Sequence, residues 1–358
     1  MKRLFAFVLT ALAVPGLAAA PARAADFSGK NIEWIIPFGP GGGSAAWAQF
    51  LAPQLGQALP GKPNVVIKYV PGGGSTKGAN LFAARAKPDG LTILGTSGST
   101  QFPYLLGDKR VQYEYKDWNV IMGSPTGGVF YATPKLGLKG PQDMAKLKGK
   151  PVKYASQSPT ALDLVPLLAL EMMGVPTKAV FGMKSRGAGR LAFERGEVNV
   201  DYQTSSAYIK NVLPLVKEGK AVPLWTWGLT NDKGDLVRDP TFPDLPHWAE
   251  AYEMMHGKKP RGPAFEAYKA FVAAGFGLQK MIFLPKGTPA DIIEAYRAAA
   301  EKVVTAPGFA AKAKKVLGDY KQVVRKEADA GLKVAITVSP KTKQWVRDWL
   351  TKRYKVKF

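Results

Sequence analysis

One pentapeptide occurs twice in the first quarter of this chain, as Pro40-Gly41-Gly42-Gly43-Ser44 and again as Pro71-Gly72-Gly73-Gly74-Ser75. Each copy follows a short apolar run with strand character, residues 32–38 and 65–70, and each leads into a segment of helical periodicity. Three successive glycines leave backbone N–H groups unshielded by side chains. A helix start adds its own unpaired N–H groups and the positive end of its dipole, so a loop of this kind holds anions. A tight turn does not need three glycines, and the repetition on successive units points to a function. The loops are neither a Walker motif nor a dinucleotide fingerprint: the Gly-Lys-Ser/Thr and Gly-x-Gly-x-x-Gly spacings are both absent.

A third apolar run, 91–94, ends in Gly95-Thr96-Ser97-Gly98-Ser99-Thr100. Strand, helix, strand, helix, strand at this spacing predicts parallel strands joined by crossover helices. Ligands then sit beyond the carboxyl ends of the strands, where all three polar loops lie. Ser44 is the expected N-cap of the first helix. Residues 103–134 carry Pro103, Gly107, Pro125, Gly127, Gly128 and Pro134 and read as a linker. A second alternating block follows, with strands near 152–155, 178–181, 198–202 and 222–227 and helices near 161–173, 185–195 and 205–218. Residues 232–246 read as loop, and the section from 279 onward is free to return to the first unit, leaving two hinge-like crossings. The 358 residues suffice for two cores. The expected class is α/β with two lobes, 25–128 plus 278–358 and 129–277.

Lys2 and Arg3, the apolar run 4–20 and Ala22-Arg23-Ala24 have the form of a cleavable secretory signal over residues 1–24. No cysteine occurs, which removes disulfides, thiolate catalysis and a cysteine-linked lipid anchor; a periplasmic location fits. The formal charge of +23 falls to +20 without residues 1–24, which hold three bases and no acid. The bases are spread along the chain and no nucleic-acid motif accompanies them, so a surface favouring anionic ligands is expected and nucleic-acid binding is not.

The polar residues at strand ends are the candidate site. Ser97, Ser99 and Thr100 either donate hydroxyls to a ligand or cap the next helix. Gln157, Ser158 and Thr160 follow a strand of the second block and form the natural opposing wall. Arg186, between Ser185 and Gly187, has a planar fork suited to a carboxylate. Tyr202, Gln203 and Thr204 end another strand, with Asp201 placed to orient a neighbour or pair with a base. His247 and His256 lack a companion at metal-ligand spacing and read as surface residues. Trp225 and Trp227 alternate along a strand and read as core. No metal, cofactor or catalytic set is expected.

The ordered series Ile35-Ile36-Pro37-Phe38, the two glycine pentapeptides, Lys87-Pro88-Asp89-Gly90, Gly196-Glu197-Val198, 239–246 (DPTFPDLP) and Leu284-Pro285-Lys286-Gly287-Thr288-Pro289 spans nearly the whole mature chain. In these motifs the chain resembles the substrate-binding receptors of tripartite tricarboxylate transporters, also called Bug-type receptors. The resemblance implies a two-lobed type II periplasmic binding fold that closes on a small organic carboxylate and hands it to a two-component membrane permease, the receptor itself acting as a monomer. It also implies that the loops Phe38 to Ala45 and Pro71 to Thr76 hold the ligand, adding Phe38, Gly41, Gly42, Gly43, Ser44, Ala45, Gly72, Gly73, Gly74, Ser75 and Thr76 to the candidate site. The sequence departs from the family at Ala45, where an aspartate is usual, and at 182–187 (GMKSRG), where a Tyr-Lys-Gly segment is usual. Two other functions compete: a periplasmic sensor that presents the same ligand to a signalling partner, and a secreted hydrolase using a serine such as Ser97, which lacks the Gly-x-Ser-x-Gly elbow.

Overall fold

The computed structural model describes residues 25–231 and 233–358, and the signal-like segment 1–24 lies outside the described residues. The first unit follows the expected alternation: β1 (Asn31–Ile36), α1 (Gly43–Ala58), β2 (Asn64–Tyr69), α2 (Thr76–Arg85), β3 (Thr92–Gly95), α3 (Gly98–Leu106) and β4 (Asn119–Ser124). β1 pairs in parallel with β2 and β3. The chain passes through 125–127 into a second sheet built from β5 (Gly128–Ala132), β6 (Val152–Ala155), β7 (Thr177–Val180), β8 (Val200–Thr204) and β9 (Val222–Thr226). Between these strands lie α4 (Leu164–Met172), α5 (Arg186–Glu194) and the short helices α6 (Ser205–Ala207) and α7 (Leu213–Lys217).

A small hairpin, β10 (Leu229–Thr230) with β11 (Leu236–Val237), and helices α8 (Trp248–His256) and α9 (Pro263–Phe276) lead back. β12 (Lys280–Leu284) then inserts antiparallel between β3 and β4. After α10 (Ala290–Thr305) and α11 (Phe309–Leu317), β13 (Val323–Val324) pairs with the far side of β4, and α12 (Arg325–Ala335) and α13 (Pro340–Tyr354) close the chain. The two sheets are ordered β13-β4-β12-β3-β1-β2 and β7-β6-β8-β5-β9.

Strand alternation decides which core each residue joins. Trp34 and Ile36 of β1 pack with Trp47, Leu51 and Leu55 of α1, while Ile35 packs on the opposite face with Leu94 and Phe283. The core of the second unit gathers Phe130, Tyr154, Tyr202 and Trp225, with Phe271 of α9 and Val346 of α13. α13 touches this unit again where Arg353 pairs with Glu171 and Tyr354 meets Phe181 edge-on.

Several local expectations need correction. The stretch 103–134 is not a linker, because β4 and β5 lie inside it. Its glycines answer to packing: a Cβ on Gly128 would meet Trp227 Nε1 at 2.9 Å and Gln203 O at 3.0 Å. The helix expected over 205–218 is broken by a π turn at Tyr208–Val212. Pro214, with no N–H and a ring that crowds the preceding turn, accounts for the widened ladder. Gly42, not Ser44, caps α1. His247 is no surface residue: its Nδ1 accepts from the Glu250 N–H (3.3 Å) and its own N–H donates to Glu250 Oε2 (2.8 Å), a reciprocal cap on α8. Burial holds its imidazole below the ordinary value.

Candidate functional site

The carboxyl ends of β1, β3, β6 and β8 face one gap, as crossover topology dictates. At its centre is a cavity of about 20 Å³, lined by Phe38, Gly39, Gly42, Gly43, Ser44, Ser97, Ser99, Gln157, Leu162, Ser185, Arg186, Thr204 and Gln279. That volume admits about one water-sized particle. Three helices begin at its wall: α1 behind Gly42, α3 behind Ser97 and α5 behind Ser185. Their positive ends and free N–H groups make it favourable for negative charge. No aspartate or glutamate is among the lining residues.

The two units touch directly around this cavity. Gly39 N–H donates to Lys184 O (3.0 Å), Ser185 Oγ to Pro40 O (3.4 Å) and Ser206 Oγ to Gly43 O (3.2 Å). The approach is close enough to require glycine on both sides. A Cβ on Gly43 would overlap Thr204 Oγ1, and one on Gly187 would meet Gly41 C at 2.6 Å.

On α3 the capping reading of the serines holds. Ser97 Oγ accepts from Ser99 N–H (3.1 Å) while Thr100 Oγ1 accepts from Ser97 N–H (3.3 Å), a capping box, and Ser97 still borders the cavity. Ser99 Oγ accepts from the Leu162 N–H (3.1 Å), a bond from the first unit to the second. Thr100 is turned away to Ser75 Oγ (2.7 Å).

Arg186 is placed otherwise than expected. Its Nη1 donates to Ala155 O (2.6 Å) and Asp163 Oδ1 (2.9 Å), its Nη2 reaches Asp201 Oδ1, and the guanidinium lies 4.5 Å from the Tyr202 ring centre. Burial pushes both carboxyls up from the ordinary aspartate value, against the guanidinium and the hydroxyls that bond them. Burial also opposes the charge on Arg186, but Asp201, Tyr154 and Asp163 outweigh it and raise the guanidinium. With two carboxylates and two carbonyls around it, the fork has no face left for a ligand. Tyr202 and Gln203 serve the same cluster: the Tyr202 ring lies under the guanidinium, and Gln203 Nε2 donates to Arg186 O (2.7 Å) and Asp201 Oδ2 (2.9 Å). Only Thr204 of that trio reaches the cavity.

Ser158 and Thr160 belong to a latch beside the cavity. Arg110 Nη2 donates to both hydroxyls (3.1 and 2.8 Å), and Thr160 Oγ1 donates to Asp108 Oδ2 (2.7 Å). Burial works to raise the Asp108 carboxyl, but the bonds from Arg110 and Thr160 prevail and hold it below the usual value. A second latch joins Ser205 Oγ, Tyr320 Oη and Asp239 at 2.7 Å spacings.

Of the expected residues, Phe38, Gly42, Gly43, Ser44, Ser97, Ser99, Gln157, Arg186 and Thr204 line the cavity. Gly41, Ala45, Thr100, Ser158, Thr160, Tyr202, Gln203 and the whole second loop, Gly72 to Thr76, do not. Leu162, Ser185 and Gln279 were missed, while Gly39 lies within the expected loop 38–45. Ser185 carried a signal, being the N-cap type before a periodic helix. Gln279 carried none, since it reaches the site on a strand distant in sequence. Among the described residues no cluster of side chains is suited to a metal ion.

No family model matches the chain. Curated relatives do match in sequence, two of which follow. BugT of Bordetella pertussis is 28% identical over 303 residues, 82% of each chain. A UPF0065 protein of a Pseudomonas strain is 26% identical over 296 residues, 78% of this chain and 76% of its own. Among solved structures, the periplasmic binding protein BugD superimposes with a TM-score of 0.67 at 22% identity, covering 91% of this chain and 98% of BugD. MatC of Rhodopseudomonas palustris with bound malate gives 0.61 at 19% identity over 91% and 98% of the two chains. A second R. palustris protein, with adipate, gives 0.64 at 18% over 89% and 99%. The two-lobed α/β fold is therefore that of periplasmic binding proteins.

Proposed function

We propose that this chain, similar in sequence to BugT and in fold to BugD, is a member of the Bug-type family of tripartite tricarboxylate receptors and a non-enzymatic extracytoplasmic receptor for a small organic carboxylate. The ligand class is a di- or tricarboxylate or an aromatic carboxylate, captured by closure of a lobe made of 25–128 with 278–358 upon one made of 129–277. The receptor works in the periplasm as a monomer and delivers its ligand to a two-component membrane transporter of the tricarboxylate type.

The observation that carries this reading is the convergence of three helix N-termini on a cavity between the lobes that has no acidic lining residue. The two lobes are hydrogen-bonded to each other around the cavity, so entry requires them to part and closure to re-form around the ligand. The solved relatives that carry malate and adipate support the ligand class. A hydrolase has little support here, because Ser97 Oγ is held in a helix cap and neither histidine is among the lining residues.

Titration calorimetry with malate, adipate, a tricarboxylate and benzoate tests the reading, paired with solution scattering. Binding of at least one acid with a fall in radius of gyration is expected. No heat with any of them would end it. Pull-down from membranes with and without ligand separates a permease partner from a signalling one.

A further inference from the structure

Lys280 opens β12 inside the first sheet and is 1% exposed. It stands in register opposite Ser124 of β4. Its parity is that of Ile282 and Leu284, which face the core containing Trp34 and Trp47, so its stem enters on the α1 side of the sheet. Ser124 Oγ there accepts from Trp47 Nε1 (2.8 Å). The Nζ of Lys280 has one polar partner, Gln279 Oε1 at 2.5 Å, and among the described residues no carboxylate pairs with it. Its register neighbour on β4, Ser124, and the Trp47 indole bonded to Ser124 carry no charge, and no charged group acts on the ammonium. The ionised side chains of the opposite lobe, Arg186, Asp163 and Asp201, are turned to one another.

An ammonium buried beside a single amide is half of an ion pair, and such a group costs stability until a counter-charge arrives. Its neighbour Gln279 lines the anion-favouring cavity. An ammonium offers only protons, so it fixes the Gln279 carbonyl oxygen toward itself and leaves the Nε2 donors for the cavity. One wall of the cavity is thus a donor backed by a cation that has no partner of its own.

We propose that Lys280, acting through Gln279, is the counter-charge of the anion held in the cleft, and that ligand capture draws a proton onto Lys280. This rests on the receptor reading of the same cleft. Burial alone acts on the ammonium and brings it down to about 7, with no charged group opposing it. Near neutrality the free protein therefore holds both amine and ammonium, and an anion in the cleft favours the ammonium. Below that pH the charge is already present and affinity is flat. Above it each binding event takes up a proton, and affinity falls by up to about tenfold per pH unit until the lysine of the complex itself titrates.

Calorimetry on the full chain with malate and with adipate, from pH 6 to 9 in buffers of different ionisation enthalpy, tests this. The expected result is a proton uptake per ligand bound that is small at pH 6 and rises toward one by pH 9, with affinity falling about tenfold or more between pH 7 and 9. Lys280→Met keeps the apolar stem and should bind about tenfold or more weakly at pH 6, with no uptake and a flat profile. Should that variant not fold, the ¹³Cε shift of Lys280 in the wild-type chain decides: its titration should move upward when malate or adipate is added. Binding without proton uptake, a flat wild-type profile or a Lys280→Met variant that still takes up the proton would overturn the proposal and leave the receptor reading standing. No binding of either acid at any pH would overturn both.

Discussion

The two Pro-Gly-Gly-Gly-Ser loops have the same letters and use glycine for different physical reasons. In the first loop only Gly41 has a positive φ, +83°, and Gly42 is extended. Gly41 has open space where a Cβ would stand and is glycine for its φ, whereas Gly43 is there for proximity, lying against Thr204; across the gap it is Gly187 whose Cβ would meet the Gly41 backbone. In the second loop Gly72, Gly73, Gly74 and Ser75 follow one another at φ of +132°, +60°, +68° and +98°, a run of left-handed residues. That turn swings the start of α2 away from the cavity, and Gly74 packs on Ser158, next to the Arg110 and Asp108 latch. One loop presents N–H groups to the cleft, while the other shapes the seam that closes beside it.

The largest expected effect tests the wall opposite the first loop. Arg186→Met leaves Asp163 and Asp201 buried without their cation, at a cost of about 3–5 kcal/mol in chemical denaturation. Because burial already raises both carboxyls, protonation becomes the favoured remedy, and the deficit should shrink as pH falls. A deficit that grows in acid would mean that the triad has been misread.

Gly43→Val asks whether the first loop works by closeness. The added side chain overlaps Thr204, so affinity for malate or adipate should drop about a hundredfold, roughly 2.7 kcal/mol, with the fold kept by circular dichroism and ligand-induced compaction lost in scattering. Normal compaction would erase the contrast between the loops.

Gly74→Ala is its counterpart. At φ +68° and with a Cβ 2.7 Å from Ser158 Cβ, it should cost about 1–3 kcal/mol of stability while affinity changes less than about threefold. A large loss of affinity at unchanged stability would place the second loop in the binding site after all.

Asp108→Asn is the mildest probe. Its partner Arg110 is nearly half exposed, so a cost of about 1 kcal/mol or less is expected. Since the folded carboxyl is held below its ordinary value of 3.8, the latch contributes above that pH and is lost as pH falls through the lower folded value. The wild-type advantage over Asp108→Asn should therefore vanish in strong acid.

Much of the architecture was readable because strands and helices alternate with clear periodicities and because glycine and proline mark the turns of the first unit. The passage 103–134 was misread for the same reason: its Gly128 lies within a strand, where it makes room for Trp227. Within the site, residues at the ends of β1 and β3 were legible from the loop chemistry. Arg186 was found but given the wrong partner, since nothing local announces that Asp163 and Asp201 converge on it.

The sequence by itself determined where helices begin and chain turns, because capping hydroxyls, glycines and prolines act within a few residues of themselves. It also determined the anion-favouring character of the cleft, which is a property of backbone N–H groups at helix starts. Only the tertiary structure decided which of two identical loops lines the cavity, which arginine is already paired, and that Gln279 and Lys280 arrive beside them. Those outcomes depend on a strand inserted from far along the chain and on charges at 163, 186 and 201 that meet only when the second sheet and its helices assemble, and no local pattern records either.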